Sequence, residues 1–299
     1  MKATFVRTAR QLILIPLVAL ASYGLMVLLP LGAGEESKRQ LSPDLLASYR
    51  RDLGIGEPLG FLRPWQKLWE GKRLGTSSQG VTAEELLLKL ASTVAVGLFA
   101  LGFAVLWAFA FALIRLRLRR SRWAAIGDVV PALAFGTPVF IPALLLAPYV
   151  VEAGHLLPEL AAAGVISFWP GIFLGSLLVD SFETELARDY VRTASSKGLS
   201  QSRVLCRHVL PNVLPTFLDS IGPVATALLA GSFAAERVLG LPYFGQLYVL
   251  AVLQKQIAVV VVATTLFASV LVLVRLFIGV ARGWVDPRAR EPTLGEVAS

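Results

Sequence analysis

The sequence has very few of the residues that build disulfides and metal centres. It contains one cysteine, Cys206, and two histidines, His155 and His208, among 299 residues. A single cysteine excludes an internal disulfide, and so few thiols and imidazoles predict no zinc, haem or iron–sulfur site. Charged residues are also scarce, at 16% of the chain against about 25% in soluble domains. The composition therefore disfavours redox chemistry, metal chemistry and a soluble globular enzyme.

Hydrophobic residues are abundant instead, and they are gathered in long runs. They make up 56% of the sequence, and the mean hydropathy is +0.68. Each run is long enough to cross about 30 Å of hydrocarbon as a helix. A signal peptide is the alternative for the first run, which exceeds the usual length of a signal core. We predict an all-α integral membrane protein with six transmembrane helices, at Leu12–Leu31, Leu86–Ile114, Val129–Val151, Leu160–Val179, Val213–Ala235 and Ile257–Ala281.

Lysine and arginine are distributed unevenly between the two sides of these spans. The N-terminus, the links 115–128 and 180–212, and the tail from residue 282 carry sixteen of them. On the other side the two short links carry two, and the long link 32–85 carries eight balanced by eight acids. Because positive loops stay inside, we expect both termini in the cytoplasm. The net charge of +8 then follows from topology, and we expect no nucleic-acid partner.

The external link between the first two spans has helix signals of its own. Ser42-Pro43-Asp44 precedes an amphipathic stretch that Gly54 can end, and a second short helix is expected after Pro64. Thr82 to Glu85 forms a capping box before the second span. We therefore divide the chain into residues 1–85, a transmembrane helix with a folded external link, and residues 86–299, a five-helix transmembrane core.

The cytoplasmic link 180–215 is too long and too amphipathic for a simple connection between spans. Its pattern predicts two short surface helices, Glu183–Ser196 and a second one that Ser200 caps and Pro211 limits, with Gly198 ending the first. Two interpretations remain open, a basic helix held by anionic lipid and a docking element for a soluble partner. The polar faces carry Arg188, Arg192, Arg203 and Arg207.

Within this link, Arg192-Thr193-Ala194 precedes Gly198, and His208-Val209-Leu210-Pro211 follows it. This order resembles the EAA loop of ABC importer permeases. That loop has the signature E-A-A, followed after three residues by Gly and after nine more by I-x-L-P. It is more similar still to the variant of dipeptide, oligopeptide and nickel permeases, YVRTAxAKGLSxxxVxxRHxLxN. The residues that agree with that variant are Tyr190, Val191, Arg192, Thr193, Ala194, Lys197, Gly198, Leu199, Ser200, Val204, Arg207, His208, Leu210 and Asn212.

The resemblance extends over nearly the whole chain and points to the B-type permease of that family. The stretch SPDLLASYRRDLGIGEPL resembles the external link of the family. The stretch from Glu236 to Gly245 resembles the family's glutamate-containing segment, and Asp286 to Arg290 resembles its closing D-P-R-x-R. The chain departs from the family pattern at 32–37, at Tyr243-Phe244 and at 254–257. All three departures are expected on the external side, where they bear on the solute rather than on coupling.

The resemblance implies a type I ABC importer permease fold with cytoplasmic EAA coupling helices, in a bacterial inner membrane. The implied partners are a second homologous permease, two cytoplasmic ABC ATPases and an extracytoplasmic binding protein that delivers short peptides. ATP and magnesium would be used by the ATPases, since this sequence has no G-x-x-x-x-G-K-[ST] run. We therefore expect neither a cofactor nor enzyme activity here. The residues to which the resemblance assigns ATPase coupling are Tyr190, Arg192, Thr193, Ala194, Lys197, Gly198, Leu199, Arg203, Arg207, His208, Leu210 and Pro211.

Other functions remain as alternatives at this point. Nickel or another small solute is possible within the same family, and so is a homodimeric assembly. A secondary transporter that works without ATP would normally need a coupling carboxylate near the bilayer midplane. Asp219 lies nearer the cytoplasmic end of its span than that role requires.

Polar residues and prolines within the spans are candidates for the translocation path or its gate. Asp219 and Arg275 each lie about six positions in from the cytoplasmic end of their span, a depth of roughly 9 Å. Either they form an ion pair, or Asp219 faces water in the translocation path while Arg275 snorkels to the headgroups. Pro138 predicts a hinge, or else ordinary packing around Gly136. The stretch YVLAVL is expected to be a short helix at the outer gate. The candidates are Thr137, Pro138, Phe140, Asp219, Glu236 and Arg275.

Overall fold

The computed structural model describes residues 2–28, 54, 57, 59–75, 80–118, 121, 124–138, 141–145, 148, 158–254 and 256–285. Apart from one isolated bridge between Leu74 and Val81, the regular elements in these ranges are helical. The predicted all-α class is confirmed. The helices are α1 Lys2–Leu28, α2 Arg63–Trp69, α3 Ala83–Leu118, α4 Ile126–Gly136, α5 Pro158–Leu186, α6 Asp189–Ser196, α7 Gln201–Val204, α8 Leu210–Leu239, α9 Phe244–Leu253 and α10 Ile257–Val285.

Among the described residues, four helices are long and apolar enough to cross a membrane. They coincide with four of the six predicted spans and comprise Ala83–Leu118, Glu159–Leu186, Gln201–Leu239 and Ile257–Ala281. The other two predicted spans fall on α1 and α4, whose described apolar stretches, 12–25 and 126–136, are shorter. Large apolar side chains such as Leu106 and Phe277 are exposed on the long helices, as expected of surfaces that face lipid.

The third predicted span is interrupted near its proline. The helix α4 ends at Gly136, and Thr137 has an extended backbone with φ −97° and ψ 116°. The residue before a proline is sterically disfavoured in the α region, so Pro138 ends this helix instead of bending it. Helical structure resumes at 141–145. Phe140 lies outside the described residues.

By its internal contacts the chain separates into two compact units, of which the first contains Met1–Thr93 and Gly240–Leu273. Two side chains at the start of α3 hold the segment that leads into α9. The Lys89 ammonium donates to the Pro242 carbonyl at 2.7 Å, and the Phe244 amide donates to the Thr93 hydroxyl at 3.1 Å. These bonds fix the first turn of α9 against α3.

Several predictions about the link between the first two spans and about the segment before the last span are confirmed within this unit. The short helix expected after Pro64 is α2, and YVLAVL lies in α9. The Thr82 hydroxyl accepts a hydrogen bond from the Glu85 amide at 3.2 Å, which is one of the two bonds of the predicted capping box. The helix expected over 42–54 lies mostly outside the described residues, as does the tail 286–290.

The second unit contains Val94–Leu239 and Val274–Ser299. Within it α5 packs against α4 and α8, and two glycines of α5 approach α3 closely. A β-carbon on Gly171 would lie 2.9 Å from the Ala104 carbonyl oxygen, and one on Gly175 would lie 2.8 Å from that of Ala108. Small residues four apart on both helices therefore allow backbone-to-backbone packing. The predicted division at residue 85 stays a prediction.

Candidate functional site

The segment between α5 and α8 is the candidate coupling site. Its first short helix begins at Asp189, so the predicted start at Glu183 was wrong. Residues 183–186 form the last turn of α5, whose backbone hydrogen bonds continue through them to the Ala187 amide. The chain then breaks at Arg188, which is extended with φ −69° and ψ 146°. The helical spacing of apolar residues continues across the single extended residue Arg188, so the sequence does not reveal the boundary between α5 and α6.

The helix α6 has one buried and one exposed face. Val191 and Ala194, three residues apart, are each 8% exposed, whereas Arg192, Thr193 and the following serines are exposed. The acid at its first residue, Asp189, suits the positive end of the helix dipole. The buried face holds α6 against its own unit, and the polar face remains available to a partner.

Gly198 ends α6 as predicted and permits the turn into α7. Its φ is +77°, in the left-handed region where residues with a β-carbon are disfavoured. No heavy atom lies within 4 Å of the position of a β-carbon, so a side chain there would strain the backbone without a clash. Ser200 occupies the N-cap position of α7, as predicted, although its side chain makes no capping hydrogen bond.

The second short helix continues into the fifth span, so Pro211 does not limit it. The helix passes from α7 through a π-helical turn, Leu205–Val209, directly into α8. Pro211 lies in the first turn of α8 and has no amide to donate to the carbonyl one turn earlier. The wider turn before it accommodates that loss. Cys206 and Arg207 are exposed on this turn, and Val209 is fully buried.

Three polar side chains join α5, α6 and α8, and we call them the Tyr190 hydrogen-bond chain. The Tyr190 hydroxyl donates to a carboxylate oxygen of Glu185 at 2.7 Å, and the Asn212 amide donates to the Tyr190 oxygen at 3.2 Å. Burial and the bond to Glu185 raise the pKa of Tyr190 above its usual value. The hydroxyl therefore stays protonated, and available as a donor, at physiological pH.

Sequence analysis missed Glu185 as a site residue and saw Asn212 only as a motif match. The spacing of five between Glu185 and Tyr190 fits no helical period, because the two residues lie on different helices. Asn212 is 22 positions from Tyr190, and only the folded loop brings them together. An acid in the last turn of a span, followed by a tyrosine, carries no recognisable signal.

The membrane candidates lie on three helices. Asp219 on α8 and Arg275 on α10 are both exposed, and Glu236 near the end of α8 is 1% exposed. The Thr137 hydroxyl donates to the Leu133 carbonyl at 2.7 Å, and Pro138 is exposed at the end of α4. A buried carboxylate is costly in this environment and is a candidate for function. The grouping of these residues into one path stays a prediction.

Comparison with known proteins assigns the chain to a family. Residues 100–291 match the family described as the binding-protein-dependent transport system inner membrane component. This range takes in the candidate coupling site and more than half of the chain. The chain belongs to this family. It is therefore a multi-pass inner-membrane permease component, as the resemblance in its loop had implied.

Individual permeases of this family are similar to the chain over different lengths. An oligopeptide transport system permease protein of Haemophilus influenzae is 26% identical over 292 residues, covering 90% of this chain and 92% of that one. A glutathione transport system permease protein of Salmonella paratyphi A is 27% identical, with 94% and 97% covered. A dipeptide transport system permease protein of Bacillus subtilis is 32% identical over 137 residues, covering 46% of this chain and 43% of that one.

A solved structure shares the fold of this permease. The crystal structure of an amino acid ABC transporter with histidines superposes with a TM-score of 0.51 at 14% sequence identity. The match covers 69% of this chain and 94% of the other. The expected type I ABC permease fold is therefore confirmed.

Proposed function

We propose that this permease forms part of an ATP-driven importer and lines the path of short peptides across the membrane. It would pair with a second homologous permease, receive solute from an extracytoplasmic binding protein and bind two cytoplasmic ATPases. The names of its relatives support this proposal, since they transport dipeptides, oligopeptides and glutathione. ATP and magnesium would be bound and used by the ATPases and not by this chain.

The exposed polar face of α6 is the observation that carries the proposal. Val191 and Ala194 form its buried face, so the polar face of the helix is exposed between two long helices. The exposed cations around it, Arg188, Arg192 and Arg207, would orient it on an acidic groove of an ATPase. A push on α6 would then reach α5 and α8, the helices on either side.

Both termini and this loop would face the cytoplasm. The distribution of lysine and arginine supports that orientation. The described loop is also highly polar, with the side chains of Arg188 and Arg192 at 62% and 79% exposure. An aqueous compartment containing the ATPases suits such a surface.

Purification of the assembled complex tests the proposal. The chain, tagged at its C-terminus and extracted in mild detergent, is expected to bring down a second permease and two copies or types of ABC ATPase, identified by mass spectrometry. In proteoliposomes, the binding protein loaded with a dipeptide is expected to stimulate ATP hydrolysis and import of labelled dipeptide. Stimulation by nickel instead would reassign the solute. Recovery of the chain alone in several detergents would contradict the importer and favour transport without ATP.

A further inference from the structure

The Tyr190 hydrogen-bond chain connects the candidate coupling helix to both neighbouring helices through one hydroxyl group. Glu185 lies in the last turn of α5, Tyr190 is the second residue of α6, and Asn212 is the third residue of α8. Because the hydroxyl contacts both partners, at 2.7 Å and 3.2 Å, α6 cannot move relative to either helix without breaking a bond. Most other side-chain bonds of α6 stay within the helix, as for Thr193, Ser195 and Ser196.

Each group in the chain has a fixed donor or acceptor role. A carboxylate accepts only, so the Tyr190 proton must point to Glu185. The Tyr190 oxygen is then the acceptor for the Asn212 amide, whose second hydrogen goes to the His208 carbonyl at 3.0 Å. The bonds from Asn212 to Tyr190 and from Tyr190 to Glu185 run in one direction and end on a charge, so each strengthens the other, while the second amide hydrogen of Asn212 ends on the neutral His208 carbonyl. A single arrangement of the amide satisfies every partner.

The His208 carbonyl belongs to the π-helical turn Leu205–Val209. The same amide thus holds the hydroxyl of α6 and a carbonyl of the irregular turn. Turns of this type interrupt the regular i→i+4 bonding of a helix and are often found at functional sites. A displacement of Tyr190 would therefore act both on the first turn of α8 and on the π-helical turn that precedes it.

We infer that Glu185, Tyr190 and Asn212 are positioning residues that transmit movement of α6 into α5 and α8. The inference rests on the proposed function, in which an ATPase displaces α6. An eight-residue helix is too short to keep its shape or place by itself, and the buried face of α6 offers only two small apolar side chains. The hydrogen-bond chain supplies the directional attachment that those contacts lack.

Four variants distinguish the effect of the hydrogen bonds from that of the Glu185 charge and from that of the Tyr190 ring. Tyr190→Phe removes only the hydroxyl. Glu185→Gln and Glu185→Met both remove the charge, including its 3.8 Å approach to Arg188, but only the glutamine keeps an acceptor for Tyr190. Ser176→Ala is the control, since it deletes a hydroxyl of α5 that bonds only the Phe173 carbonyl of its own helix.

The first measurement is dipeptide imported per ATP hydrolysed by the full complex in proteoliposomes. We expect about a three- to tenfold fall for Tyr190→Phe and Glu185→Met, the scale of one lost hydrogen bond, and near wild-type ratios for Glu185→Gln and Ser176→Ala. The double variant Tyr190→Phe with Glu185→Met should be no worse than either single one. Wild-type ratios in both single variants, or equal losses in the glutamine and methionine variants, would overturn the inference.

The second measurement needs no solute. In the detergent-purified complex, a non-hydrolysable ATP analogue is expected to change hydrogen–deuterium exchange in both α6 and α8. In Tyr190→Phe the change should be confined to α6. Loss of ATPase co-purification in that variant would make the hydroxyl a docking group and refute transmission. A wild-type chain that binds no ATPase would instead refute the proposed function, so the two failures are distinguishable.

Discussion

Gly175 of α5 lies against Ala108 of α3 so closely that a β-carbon on the glycine would be 3.0 Å from the alanine Cα. Gly171 and Ala104 repeat the contact one turn earlier. On α3 the buried residues Ala100, Ala104, Ala108 and Ala112 recur every fourth position. Lipid gives helices no hydrophobic reason to associate, so close packing of this kind supplies much of their attraction.

Replacement of Gly175 by alanine should therefore destabilise the second unit. The nearest atoms are backbone and cannot rotate away, so α3 and α5 must separate at a cost of about 1–3 kcal/mol. Thermal unfolding in detergent, monitored by size-exclusion chromatography of heated samples, is expected to show a lower midpoint temperature than that of the wild type. Gly164→Ala on the same helix is the matched control, because no heavy atom lies within 4 Å of its β-carbon position. Equal midpoints for the two variants would argue against close packing.

Cys206 provides a test of orientation and docking that needs no engineered label site. It is the only cysteine in the chain and is exposed on the π-helical turn. A membrane-impermeant maleimide should label it in inside-out vesicles and not in right-side-out cells, and bound ATPases should slow the labelling. Cys206→Ser gives the background. Labelling from the outside would reverse the proposed topology, and unchanged labelling in the complex would remove this turn from the docking surface.

Gly198→Arg should uncouple the permease without preventing its insertion. The backbone at position 198 has a φ of +77°, which costs a residue with a β-carbon about 1–2 kcal/mol. The turn between α6 and α7 can relieve this strain only by changing its backbone conformation. Membrane levels should stay normal, while ATP hydrolysis stimulated by the loaded binding protein is lost. Gly198→Asn, which tolerates this φ better, should keep most of the stimulation. Full stimulation in the arginine variant would show that the turn is not needed for coupling.

The sequence leaves open whether Asp219 and Arg275 form an ion pair or act separately, and a double charge reversal distinguishes the two alternatives. Asp219→Arg alone should abolish transport, because it places two cations at the same depth in the membrane. Adding Arg275→Asp should restore a measurable fraction of transport if the two residues form a pair. Transport of labelled dipeptide by membrane vesicles is the assay. Absence of any rescue would favour separate roles, with Asp219 facing the path.

The long helices could be predicted from the sequence because a bilayer demands about twenty apolar residues in a row. The turn at Gly198 and the cap at Thr82 could equally be predicted, since a positive φ and an unpaired helix-terminal amide each require particular residue types. Each of these features is determined by residues only a few positions away in the sequence, and the structure confirms the turn and the cap.

Two kinds of feature were not predicted, namely local interruptions of a helical pattern and contacts between distant parts of the chain. The break at Arg188 lies inside a continuous helical pattern, and α8 passes Pro211 only because a π-helical turn precedes it. The hydrogen bonds of Tyr190 join residues on three helices. Likewise, the contacts of Gly171 and Gly175 arise from the pairing of α3 with α5, which hydropathy does not specify. The choice of partner helix, not local propensity, determines the contacts of Tyr190, Gly171 and Gly175.

The continuous helix from Gln201 to Leu239, 39 residues long, has a mechanical consequence. From the π-helical turn to its far end α8 extends over roughly 45 Å at 1.5 Å per residue. A tilt of about 10° at that turn would swing the far end, where Glu236 is buried, through roughly 8 Å by simple geometry. A small change of angle at the loop between α5 and α8 would thus become a displacement comparable to the width of a peptide, provided that α8 moves as a rigid body.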